Sequence, residues 1–233
     1  MQPTHETYGE LQQAFDHFNV ELFDGKLPPC LLTLQREKKT YGYFSAERFG
    51  RRGDDVKTDE IALNPAYFGV VPVLEVMQTI AHEMAHLWQH HFGVKAGRRR
   101  YHNKEWADKM ESIGLMPSDT GKPGGKRTGE RMSDYPIDGG VFMQACEKLL
   151  TQDFHISWFD RFPAKHVTAQ ALESAGDAED GEGADLGVTE ESQTKPTRAK
   201  YTCPKCETNV WGKPALKLVC GECGSPYEVN ESP

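Results

Sequence analysis

The stretch His82-Glu83-Met84-Ala85-His86 lies between Val73-Leu74-Glu75-Val76-Met77-Gln78-Thr79-Ile80-Ala81 and Leu87-Trp88-Gln89 in a sequence of 233 residues. A helix turns about 100° per residue, so His82 and His86 project from one face about one turn apart. Two imidazoles at that spacing can share one Zn²⁺, and Glu83, beside the first, can reach a water at an open metal position. The flanks suit a helix: Pro72 fits its first position, Gly93 its C-terminal stop, and no Gly or Pro interrupts between them. Leu74, Met77, Ala81, Met84 and Trp88 recur at steps of three and four, which predicts a stripe packing inward while the histidines line a cleft.

Two histidines need a third ligand to make a catalytic zinc with one position left open. The downstream candidates are His90, His91, His102, Glu105, Asp108 and Glu111. On a straight helix His90 lies a further turn along the same face as His86, too far along the axis to join easily. His102 follows a turn containing Gly93 and Gly97, and is expected to start a second helix carrying Trp106, Met110 and Ile113 and ended by Gly114. Folded back on the first helix, that start brings His102 to the metal. Glu105, one turn on, is the alternative.

Upstream, Leu11, Phe15, Phe18 and Leu22 form an apolar stripe that predicts a helix over roughly 7–24, with Thr7-x-x-Glu10 as a capping box and Gly25 as its end. Leu31–Leu34, Tyr41–Ser45 and Glu60–Leu63 read as short strands, the last two joined by the charged turn Arg51–Asp55. A helix, about three strands and the metal helix make an α+β arrangement. Residues 115–141 are rich in Gly and charge, and Gly121–Arg127 contains no apolar residue, so this stretch reads as a solvated loop outside the core. Beside Lys95, Arg98, Arg99 and Arg100 it offers phosphate-contacting cations as the functional alternative. Val141, Phe142, Ala145 and Leu149 predict another helix, and Phe154, Ile156, Trp158, Phe159 and Phe162 predict aromatic packing after it. His155 and His166 read as surface or core histidines, not ligands.

Composition limits the alternatives. The chain is long enough for one sizeable core and a small appendage, and no apolar run approaches membrane-spanning length. A polar start predicts no signal peptide. Net charge is −8, but residues 173–191 alone hold eight acids and no Lys or Arg, so the remainder is formally neutral with local basic clusters. The acidic total therefore does not exclude a nucleic-acid partner.

Four of the six cysteines stand as Cys203-x-x-Cys206 and Cys220-x-x-Cys223, separated by 13 residues. Paired steps of this kind predict a tetrahedral structural Zn²⁺ in a reducing cytoplasm more than disulfides. A module this short cannot bury a sufficient core, so the metal supplies its folding energy, and four thiolates leave no open position for catalysis. Trp211, Lys205, Lys213 and Lys217 permit stacking on bases and attraction to phosphate.

The segment Ile80–Trp88, followed by His102-Asn103-Lys104-Glu105-Trp106, resembles the SprT-like family of zinc metalloproteases, which includes the Spartan-type DNA–protein crosslink proteases. The C-terminal cysteine pairs around Trp211 resemble the zinc ribbon of its bacterial members. The resemblance implies a zincin-like metalloprotease domain with a small sheet and a metal-binding helix over residues 1–165. An acidic linker over 166–199 and a Cys₄ zinc ribbon over 200–233 follow. It assigns His82, His86 and His102 to a catalytic zinc, Glu83 to water activation, and Cys203, Cys206, Cys220 and Cys223 to a structural zinc. Protein substrates, DNA contacts through basic loops and the ribbon, and no membrane partner are the implied associations. The other class compatible with these residues is a nucleic-acid-binding adaptor with a structural or silent His-Glu-x-x-His site. Glu83 favours the peptidase, because a structural zinc gains nothing from a carboxylate beside an open position.

Overall fold

Leu11, Phe15, Phe18 and Leu22 are all buried on one face of the first helix, α1 (Pro3–Phe23). The protein is described here by a computed structural model over residues 2–37, 40–94, 101–151, 154–163, 199–213 and 215–230. Helix α1 starts earlier than the expected Thr7. Pro3 occupies the first turn, where a missing N–H costs nothing, and the Thr7 hydroxyl donates to the Pro3 carbonyl at 2.8 Å instead of capping. Asp24, with φ 56°, closes the helix in the left-handed region.

Strands β1 (Leu31–Leu34), β2 (Gly42–Gly50) and β3 (Lys57–Leu63) form a sheet in the order β1-β3-β2, with β1 parallel and β2 antiparallel to β3. The middle place of β3 explains why Asp59 to Leu63 are all buried. Strand β2 runs past the expected Ser45. Its outer half is exposed, and the register shifts between Ser45 and Phe49, where Glu47 adopts φ 47°. That irregularity is a bulge on an edge strand, a device that bends the strand and redirects its backbone groups.

A single-turn helix, α2 (Pro65–Phe68), is capped by the Asn64 side chain and leads to α3 (Val73–Phe92). Pro72 is the N-cap of α3, one residue outside its expected first helical position. Met77, Ala81 and Met84 are fully buried, while Leu74 and Trp88 flank the core half-buried, as the stripe requires. Helix α4 (Lys104–Ser112) buries Trp106, Ala107 and Met110 in the same core.

The segment read as a solvated loop departs from that reading. Leu115–Ser118 and Ser133–Pro136 pair as an antiparallel hairpin, β4 and β5, with Leu115, Ser118, Met132, Ser133 and Asp134 buried. Pairing with each other satisfies the backbone groups that burial removes from water. Residues 119–131, which join the two strands and include Gly121–Arg127, are exposed or half-buried. Helix α5 (Val141–Leu150) buries Phe142, Ala145, Cys146 and Leu149, and its Lys148 reaches Glu21 of α1. Beyond it Phe154 is buried, but Trp158, Phe159 and Phe162 are exposed, contrary to the expected packing. This irregular stretch runs over the surface, and the Trp158 indole N–H donates to Glu6 at 2.7 Å.

Residues Met1–Leu186 and Gly187–Pro233 form two compact units. In the second, β6 (Ala199–Thr202) lies between β7 (Asn209–Gly212) and β8 (Glu228–Asn230), antiparallel to both. Tyr201, the one large side chain buried there among the described residues, donates its hydroxyl to the Lys213 carbonyl at 2.6 Å. The expected linker over 166–199 lies outside the described residues except for Ala199, as do Lys95, Arg98, Arg99, Arg100 and His166. Among the described residues no helix is long and apolar enough to cross a membrane.

Candidate metal centre

His82 and His86 leave α3 on one face with ring centroids 5.1 Å apart. His102 meets them from just outside α4, not from its start. Asn103 is the N-cap there, and its side-chain oxygen accepts from the Trp106 N–H at 3.0 Å. What places His102 is a bridge to Gly129: its N–H donates to the Gly129 carbonyl at 2.7 Å, and the Gly129 N–H donates back at 3.2 Å. The same carbonyl lies 3.2 Å from His102 Nδ1. A carbonyl only accepts, so Nδ1 carries the proton and Nε2 keeps its lone pair. That Nε2 stands 3.1 Å from His86 Nε2. One nitrogen from each of His82, His86 and His102 lies within 4.8 Å of the other two. Metal–nitrogen bonds of about 2.0–2.1 Å in a tetrahedral shell put ligand nitrogens about 3.3 Å apart, so this separation suits a shared ion.

Behind His82 stands Asp134. The His82 Nδ1–Asp134 Oδ2 distance is 2.7 Å, and both side chains are buried. Strand β5 carries Asp134, and the Asp134 carbonyl accepts from Gln78 Nε2, one turn before His82 on α3, at 2.8 Å. A carboxylate behind a ligating imidazole fixes its tautomer, sets the ring's direction and raises its basicity. Asp134→Asn should therefore weaken zinc binding at this site by about 10- to 100-fold. Competition with a chromophoric chelator measures that change.

Trp106, wholly buried, forms the floor under all three rings. Its centroid lies 4.3 Å from that of His102, 5.0 Å from His82 and 5.3 Å from His86, on which it stacks. Burial lowers the His86 pKa well below the ordinary imidazole value, and the nearby His102 and His82 push it the same way. His86 is therefore neutral at neutral pH, as a metal ligand must be. Without metal, the unfolded chain takes up this proton near pH 6.5 and the folded chain only at much lower pH. Stability therefore falls as pH drops below that value.

Glu83, 2% exposed, follows His82 on the buried side of α3. Glu105, the alternative third ligand, is engaged elsewhere: its Oε1 accepts from the Val94 N–H at 2.7 Å, beyond the end of α3. Asp108 pairs with Lys104, and Glu111 with Arg127, on the surface. His90 and His91 gather at Asp59, apart from the other three histidines. Sequence reasoning did not name Asp134 or Gly129. The sequence Met132-Ser133-Asp134-Tyr135-Pro136 carries no alternating strand pattern, and nothing local ties it to His82.

In the second unit the sulfurs of Cys203, Cys206, Cys220 and Cys223 lie within 4.8 Å of one another. Cys206 and Cys220 Sγ atoms are 3.7 Å apart, much longer than a disulfide and close to the roughly 3.8 Å between thiolates on one tetrahedral zinc. All six cysteines are free thiols. Hydrogen bonds from Thr208 bring the Cys206 thiol down to about 6, whereas the sulfurs of Cys206 and Cys220 push Cys223 up to about 12. Four clustered thiolates repel one another, and a bound cation removes that conflict. If the four cysteines hold a structural zinc, Cys203→Ser should unfold the second unit and spare a metal bound by the three histidines. Loss of amide dispersion confined to residues 200–230, with one zinc retained, is the expected NMR and metal-analysis result.

The profile of the SprT-like family matches residues 11–123, a span that contains His82, His86 and His102. A protein of Salmonella typhimurium, described as "Uncharacterized protein in mucB 3'region", is 61% identical over 59 residues, covering 25% of this chain and 80% of that protein. No solved structure matches the chain. The mixed α/β unit with its small sheets, histidine cluster and matching span settles the family: the chain belongs to the SprT-like family through a domain over residues 11–123.

Proposed function

We propose that the chain is a zinc-dependent endopeptidase acting on proteins attached to or crosslinked with DNA. In this reading residues 1–165 are a zincin-like catalytic domain, 166–199 an acidic linker and 200–233 a Cys₄ zinc ribbon. The observation that carries it is the convergence of three imidazoles beside the buried Glu83, with Asp134 holding His82 from behind. Family membership supports a metalloprotease-related function. Free thiols throughout suit a reducing cytoplasm.

His82, His86 and His102 would hold the zinc, which would supply a Lewis acid and acidify a water. Glu83 would accept the proton of the attacking water and return it to the leaving amine. Asp134 and the Gly129 carbonyl hold two of the imidazoles through Nδ1, the tautomer that would leave Nε2 free to ligate the zinc. Strand β2 is an edge of its sheet, so an extended substrate can pair along Tyr43 to Ser45 as a further strand. The ribbon has no open coordination position and serves structure and recognition. Trp211 is 63% exposed and Lys200 Nζ lies 6.0 Å from its ring centre, a face suited to base stacking and phosphate attraction.

The substrate class is tested by cleavage of a DNA-binding protein with and without DNA. The reading predicts faster cleavage with DNA and a benefit that fades with added salt, because phosphate contacts release counterions. Equal rates with and without DNA would leave a peptidase of some other substrate class.

A further inference from the structure

The last turn of α3 carries a second pair of imidazoles. Adjacent helical residues point about 100° apart, so neighbouring rings seldom serve one target. His90 and His91 nevertheless stand edge to face with centroids 4.8 Å apart, and both reach Asp59 of β3. His91 Nε2 is 2.7 Å from Asp59 Oδ2. One ring nitrogen of each histidine and a carboxylate oxygen lie within 4.8 Å of one another.

Asp59 is the built part of this arrangement. It is 5% exposed, and its other oxygen accepts from the Glu47 N–H at 2.7 Å. Glu47 is the residue at positive φ in the β2 bulge, so the bulge itself aims that N–H at the carboxylate. One oxygen is thereby fixed and the other faces the imidazoles. The Glu47 carboxylate turns away to Lys57, 2.8 Å off. Both histidines are exposed, so an ion from solvent can reach them. An Asp59–His91 ion pair at a helix C-terminus explains one ring but not the convergence of two. Two imidazoles and a carboxylate form a donor set for zinc, nickel, cobalt or copper, not for magnesium or calcium.

We propose that Asp59, His90 and His91 form a second transition-metal site, separate from His82, His86 and His102. A bound ion there clamps the bulged half of edge strand β2 to the end of α3. With two of its three protein ligands exposed, it binds more weakly than the three-histidine and four-cysteine sets. The site is independent of the peptidase reading.

Equilibrium dialysis of the full chain against rising Zn²⁺, followed by metal analysis, tests it. Wild type should hold one more zinc per chain than either His90→Gln or His91→Gln, and added Zn²⁺ should raise its melting temperature more than theirs. The difference between proteins is what is read, so incomplete filling of the other sites does not disturb it. His90→Gln leaves the Asp59–His91 contact in place and separates a metal site from an ion pair. Equal zinc in wild type and both variants would overturn the proposal, leaving an Asp59–His91 ion pair only.

Discussion

Glu83→Gln is expected to keep its zinc and its fold and to lose hydrolysis by about 10²-fold or more. Gln matches the volume of Glu at this 2% exposed position, so packing is little disturbed. What disappears is the ability to take a proton. In the proposed mechanism the converging nitrogens of His82, His86 and His102 serve the zinc, so none of the three is left to replace Glu83 as the base. Initial rates on a protein substrate, with zinc content and circular dichroism measured on the same sample, give the result. Wild-type rates in the variant would remove Glu83 from the mechanism.

His102→Ala is expected to empty the three-histidine site while Glu105→Ala leaves it filled. His102 is 1% exposed and held on both sides of its ring, by Gly129 and by the other imidazoles. Its removal leaves two ligands, too few to retain zinc against a competing chelator. Glu105→Ala removes the acceptor of the Val94 N–H beyond the end of α3, and that hydrogen bond is worth about 1 kcal/mol in stability. Zinc per chain, measured after dialysis with the ribbon intact, distinguishes the two. Retained zinc in His102→Ala and loss in Glu105→Ala would move the ligand to Glu105.

What the sequence disclosed and what it hid divide by range along the chain. Helix α3 and its histidine pair were legible because their signal repeats within a few residues, and so were the stripes of α1 and α5 and the cysteine pairs. The start of α1 was misplaced because two local rules competed there, and Pro3 in the first turn prevailed over Thr7 as a cap. The support of the site was not legible at all. Asp134 lies 52 residues from its partner His82, and Gly129 lies 27 from His102, in a segment whose Gly and charge content resembles a solvated loop. The pairing of β4 with β5 reveals that the residues flanking the loop over 119–131 belong to the core. The gathering of His90 and His91 at Asp59 depends in the same way on a bulge that no local pattern announces.

The initial rate of cleavage of a DNA-bound protein, before and after zinc is stripped from the full chain and restored, decides whether the three histidines and Glu83 form a zinc peptidase. The three-histidine centre with Glu83 predicts no cleavage by the stripped protein, recovery when Zn²⁺ is returned, and no recovery in Glu83→Gln under the same treatment. Cleavage that persists without zinc, or that returns in full in Glu83→Gln, would contradict it.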